Sequence, residues 1–195
     1  MVWWGRRWVL ETGVRKFDSE EYGTVRRGSY RLCEHSTQLY EEARQKVADF
    51  LGAPTRQEIV FTSGTTQSIN LVAHSFGRKF VNSGDEVIIS NIEHHANIVP
   101  WQVLCDEKGA KLKVIPVADN GELIMEEYDK LLTNKTRVVA VNHVSNALGT
   151  INPVNEITRK AHAVGEKVLI DGAQSTPCIL YPSDAADDLL CEDTG

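Results

Sequence analysis

Four short stretches of the sequence hold side chains whose types and spacing could do chemistry. Gly64-Thr65-Thr66 opens a helical pattern. Free backbone N–H groups, two hydroxyls and the positive end of the helix dipole would there meet an anion such as a phosphate, although the same residues also suit a plain helix start. Glu93-His94-His95 brings two imidazoles that could stack or move protons. They are adjacent rather than spaced i, i+4, which makes them poor metal ligands, and such a pair is also an ordinary surface feature. His143-Val-Ser-Asn146-x-x-Gly149 offers an amide that could donate to an oxygen anion, or simply a turn. Asp171, followed by Gly172-Ala173-Gln174, ends an apolar run. A carboxylate there is costly to bury without a partner. A protonated ring nitrogen would repay that cost; an Asp that caps the next helix is the alternative.

The elements that must position these groups follow from periodicity. A 3–4 spacing through Leu39, Ala43, Val47 and Phe50 predicts a helix over 36–51, capped by Ser36 or Thr37 and ended by Gly52 and Pro54. Residues 58–62 predict a short strand leading into Gly64-Thr65-Thr66, and a helix follows through Ile69, Val72 and Ala73. Strands are then expected at 85–90, 111–117, 137–142 and 167–170, separated by helices at 96–108, 125–132 and 154–164. Runs such as Arg137-Val-Val-Ala-Val141 and Lys167-Val-Leu-Ile170 are apolar throughout, as in strands covered on both faces. The expected class is therefore α/β, a three-layer sandwich with a mainly parallel sheet. Ligands in such sheets sit beyond the carboxyl ends of the strands, which is where most of the residues singled out above fall.

Composition narrows the functions. The 195 residues are 42% hydrophobic and carry a net charge of −6, which argues against nucleic acid as a partner. No apolar run approaches the roughly 20 residues of a membrane-spanning helix. Cys33, Cys105, Cys178 and Cys191 show neither C-x-x-C nor zinc spacing, so reduced thiols and no metal are expected. The amino terminus MVWWGRRWVL interrupts its apolar stretch with Arg6 and Arg7 and lacks serine, which favours a cytoplasmic protein over a secreted or organelle-targeted one. After Gln174 the chain turns acidic and aperiodic.

The strings FTSGTTQSINLVA, ISNIEHHANIVPWQ, VNHVSNALGTINPV and VLIDGAQS, in this order, resemble the group II cysteine desulfurase and selenocysteine lyase branch of the class V aminotransferases. The resemblance starts near TVRRGSYRL at residue 24 and fades near residue 176, leaving 1–23 and 177–195 as divergent segments. It implies the large domain of a fold type I enzyme that binds pyridoxal 5'-phosphate (PLP). By the same resemblance Thr65 and Thr66 hold the phosphate, His94 rather than His95 stacks on the ring, Asn146 and Gln174 reach the phenolic oxygen, and Asp171 pairs with the ring nitrogen.

The implied activity removes sulfur from L-cysteine, or selenium from selenocysteine, leaving alanine and a persulfide on the enzyme that supplies iron–sulfur cluster assembly. A homodimer and a sulfur-acceptor protein are the implied partners. The family bonds its cofactor through a lysine in Ser-x-His-Lys beyond the aspartate, and places its persulfide cysteine further on. Lys167 is the last lysine here and none of the four cysteines falls at that position, so the expectation is a part of the large domain that carries no catalytic residue of its own. Another class V aminotransferase or lyase, or a non-catalytic α/β protein derived from one, is the alternative.

Overall fold

The computed structural model describes residues 13–25 and 28–176. Residues 1–12 and 177–195, most of the two segments expected to diverge, lie outside the described residues, together with Cys178 and Cys191. The described residues form two compact units that divide between Val60 and Phe61.

In the first unit, helix α1 (Arg31–Leu51) begins five residues before the predicted start at Ser36. Ser36 is not its cap. The Ser36 hydroxyl accepts from the Gly23 N–H at 2.9 Å and donates to the Glu21 carbonyl, so it binds the preceding segment to the helix flank. Thr37 likewise bonds back to the Cys33 carbonyl within the helix. The predicted end is correct: Gly52 takes the left-handed conformation (φ 71°) that a side chain resists, and its N–H returns to Ala48 and Asp49. The strand expected over 58–62 does not form. Arg56–Glu58 is a 3-10 turn, and residues 59–62 after it take no strand conformation. The carbonyls of Gln57 and Ile59 are satisfied instead by the Arg44 guanidinium, at 3.2 and 3.0 Å. A side chain has taken over what a ladder would have done.

The second unit is built on four parallel strands, β1 (Glu86–Ser90), β2 (Lys111–Ile115), β3 (Thr136–Asn142) and β4 (Lys167–Asp171), in the order β2-β1-β3-β4. Helices α2 (Thr65–Val72), α3 (Val99–Lys108), α4 (Met125–Leu131) and α5 (Val154–Ala163) pack on its two faces. Helix α2 runs on through a π-helical turn, Ala73–Gly77, into Arg78–Phe80. Every residue of β1 is buried. Alternation divides the sheet's apolar side chains cleanly between two cores. Val87, Ile89, Val138 and Ala140 meet Ile69, Trp101 and Leu104 on one face. Ile88, Val139, Val141 and Val168 meet Tyr128, Val154 and Ile157 on the other. Each fully buried side chain of this kind contributes about 1.5–3 kcal/mol relative to exposure. This is the expected α/β sandwich with a parallel sheet.

Candidate functional site

The six residues singled out by motif come from four separate segments, and the second unit brings all of them to one cavity. Thr65, Thr66, His94, Asn146, Asp171 and Gln174 line a space of about 210 Å³ beyond the carboxyl ends of β1, β3 and β4. Ala96, Asn142, Val144 and Ala173 complete its wall. A larger space of about 400 Å³ adjoins it, sharing Thr66, His94 and Ala96.

Local backbone chemistry places each group. Gly64 (φ 155°, ψ 172°) turns the chain into α2 in a conformation that glycine adopts without a Cβ clash. The first turn of a helix has N–H groups without intrahelical acceptors, and here the Ser68 N–H is the first to bond back, to the Gly64 carbonyl at 3.1 Å. Neither threonine hydroxyl enters a described hydrogen bond, so both are available to an anion at the helix start. His94 accepts from the Ala96 N–H on Nδ1 at 3.2 Å. That bond places the proton of the neutral ring on Nε2. His95 lies outside this cavity and lines the adjoining one, edge-on to His94. His94 thus borders both spaces and His95 only the larger one.

Asn146 sits on a loop closed at its base by the Val144–Ile151 bridge and across its tip by the Gly149 N–H to the Ser145 carbonyl. Asp171 ends β4, buried, and its Oδ1 accepts from the Ala173 N–H at 3.0 Å. None of the described ion pairs gives it a cation. This carboxylate is acceptor-rich and uncompensated, facing a cavity with an anion-ready helix start opposite.

That donor set fits PLP. Thr65 and Thr66 suit the phosphate, the His94 ring suits a flat aromatic partner, Asn146 and Gln174 carry amides for an oxygen anion, and Asp171 suits a protonated ring nitrogen. Among the described residues no group of three or more His, Cys, Asp or Glu side chains is arranged to hold a metal ion. No described helix is long and apolar enough to cross a membrane.

Sequence reasoning overlooked Asn142 and Glu93. Asn142 was visible only as the last residue of a strand, although its position at a strand's carboxyl end was itself a signal. Glu93 is buried and bonds the Asn142 N–H at 2.9 Å. Burial raises its pKa, even though Ser90, Asn97 and Asn142 all donate to it, and the charge of Asp171 adds to the rise.

Comparison with known proteins agrees with this geometry. The family described as Aminotransferase class-V matches residues 8–182. The probable cysteine desulfurase of Mycolicibacterium paratuberculosis is 49% identical over 92% of this chain and 26% of its own length. The cysteine desulfurase of Dickeya dadantii is 52% identical over 83% of this chain and 39% of its own length. The solved structure of a cysteine desulfurase from Thermococcus onnurineus NA1 superposes with a TM-score of 0.79 at 39% identity, covering 85% of this chain and 40% of that one. The chain thus spans about a quarter to two fifths of the curated relatives just named. A match over residues 8–182, nearly the whole chain, means that it belongs to the class V aminotransferase family.

Proposed function

We propose that the protein is a PLP-dependent cysteine desulfurase and that this chain supplies the cofactor cradle of its large domain. The observation that carries the reading is the convergence of Thr65, Thr66, His94, Asn146, Asp171 and Gln174 on one cavity, with Asp171 buried and lacking a described cation. When bound, PLP supplies an electron sink in its ring. The protein's own contribution is binding and orientation. The threonines and the helix start hold the phosphate end. Asn146 and Gln174 orient the opposite edge of the ring through its oxygen. His94, its Nδ1 taken by the Ala96 N–H, would cover a face of the ring. Asp171 holds a proton at the ring nitrogen, which keeps the sink effective.

The substrate in this reading is L-cysteine or selenocysteine, the product alanine, and the sulfur passes as a persulfide to an acceptor protein for iron–sulfur clusters. A homodimer and a cytoplasmic setting belong to the same proposal. The test is PLP binding and alanine release from L-cysteine by the full-length protein, compared with a T65V/T66V variant. Saturable binding that this variant weakens at least about tenfold is expected from the loss of two hydroxyl contacts at about 1 kcal/mol each. Equal binding by both proteins would remove the phosphate assignment, and binding without alanine release would favour another class V activity.

A further inference from the structure

Strand β1 stops at Ser90, and the chain turns away before it can continue beside β3. On that side of β3 the Asn142 N–H needs another acceptor, which is Glu93 Oε1 at 2.9 Å. The Ser90 hydroxyl closes on the same oxygen. The second oxygen, Oε2, accepts from Asn97 Nδ2 at 2.7 Å. Three donors converge on a carboxylate that is 8% exposed, and no described ion pair includes it.

The direction of this chain of bonds is set at its far end. The Trp101 indole N–H can only donate, and it bonds Asn97 Oδ1 at 3.0 Å. Asn97 must then turn its NH₂ towards Glu93, so Oε2 must accept, as Oε1 already must from the Asn142 N–H. Asn97 and Trp101 are fully buried, which leaves a mismatched amide no easy recourse to solvent. Two links tie the chain to the cavity. The Asn97 N–H donates to the His94 carbonyl at 2.8 Å, closing the turn that carries His94. Asn142 lines the cavity and is paired in register with Asp171.

We propose that Glu93 is a positioning residue of the cofactor site: accepting at both oxygens, it locks the His94 turn to the end of β3 beside Asp171. The proposal rests on the reading of this cavity as a PLP site. Protonation of Glu93, towards which burial biases it, leaves the order intact, because an Oε1 proton can turn to Ser90 while both oxygens still accept.

The experiment is a reciprocal swap in the full-length protein. E93Q sets two amide NH₂ groups against each other, and N97D sets two carboxylates against each other. E93Q/N97D restores the order with its direction kept at the indole: the new carboxylate at position 97 accepts from both the new amide at position 93 and the Trp101 N–H. Asn142 still donates to the carbonyl oxygen of that amide. Two readouts are taken: PLP affinity by absorbance titration, and the Trp101 indole resonance without added PLP, assigned with W101F. Each single variant is expected to weaken PLP binding at least about tenfold and to displace the indole resonance, and the double variant to recover to within about threefold. Unchanged binding in E93Q, or a double variant as weak as the two losses combined, would overturn the proposal. If E93Q does not fold, the double variant alone decides. Failure of the wild type to bind PLP would defeat the cofactor reading, and the indole resonances would still decide whether Glu93 locks the turn.

Discussion

Replacing Asp171 by Asn should move stability and cofactor affinity in opposite directions. The two side chains are nearly isosteric, and Asn can keep the Oδ1 acceptor for the Ala173 N–H at 3.0 Å, so the turn after β4 is retained. What disappears is a buried negative charge without a described cation, close enough to Glu93 to raise its pKa. Replacing this buried charge by a neutral amide should therefore stabilise the cofactor-free protein, by up to about 1 kcal/mol. That corresponds to a rise of roughly 2–4 °C in Tm for a domain of this size. With PLP the balance reverses. A charge-assisted hydrogen bond contributes about 1.5–3 kcal/mol against about 0.5–1.5 for a neutral one, so the loss is about 1–2 kcal/mol. At 1.4 kcal/mol per factor of ten, Kd for PLP should rise about 5- to 30-fold. Thermal melts without PLP and absorbance titrations with it measure the two effects on the same preparations. A Tm and an affinity that fall together would show that Asp171 only shapes the turn, and an unchanged Kd would show that its charge is not used.

His143 gives a pH dependence. It is buried, its Nδ1 has no hydrogen-bond partner, and desolvation holds its pKa below the ordinary value of 6.5. The folded state therefore resists protonation more than the unfolded chain does. Its contribution is fully present above pH 6.5 and is lost as pH falls below it towards the folded value. Wild-type Tm should drop relative to H143Q between about pH 6.5 and pH 5, and parallel curves would refute this. The comparison cancels Glu93 and Glu166, whose raised pKa values act with the opposite sign. The thiols give another prediction. Burial, with Asp106 adding, pushes Cys105 up to about 11, and Cys33 is fully buried. At pH 8 roughly one Cys105 in a thousand is a thiolate, so peptide mapping after alkylation should find Cys33 and Cys105 modified only on unfolding. Rapid labelling of either in the native protein would contradict the packing.

Strands β1, β3 and β4 were legible through their apolar runs and the edge strand β2 through Leu112, Val114 and Ile115 beside two lysines, and the predicted bounds differ from the observed ones by at most two residues. The failures share a cause. A strand exists only with a partner, and here the Gln57 and Ile59 carbonyls meet the Arg44 guanidinium, thirteen and fifteen residues away in the chain. Ser36 looked like a cap by type, but its hydroxyl is committed to Gly23 and Glu21, which local periodicity cannot reveal. The residues assigned to the cofactor were named through a family pattern, since singly each also suited a cap or a turn, and what the structure adds is that they line one cavity. Glu93 shows the limit of such reading. Before two histidines it reads as an exposed charge, and its burial depends on Asn142, 49 residues on.

The site and the stability of the sheet are one property seen twice. Strands β1, β3 and β4 are consecutive in the sheet, about 4.8 Å apart, so their carboxyl ends form a wall roughly 10 Å wide. That wall carries the His94 turn, Asn142 with the Asn146 loop, and Asp171 in sequence across it. No β2 residue lines the cavity; the Ile115 carbonyl at its end takes the Asn91 N–H in the turn that leads to Glu93 and His94. The register Val138↔Lys167 through Asn142↔Asp171 sets which side chains of β3 enter each core and also places Asn142 beside Asp171. A slip of one residue would exchange the two faces, exposing Val139 and Val141 to the wrong layer and parting Asn142 from Asp171. The apolar packing that favours this register over its neighbours is thus also what brings Asn142 and Asp171 together at the cavity.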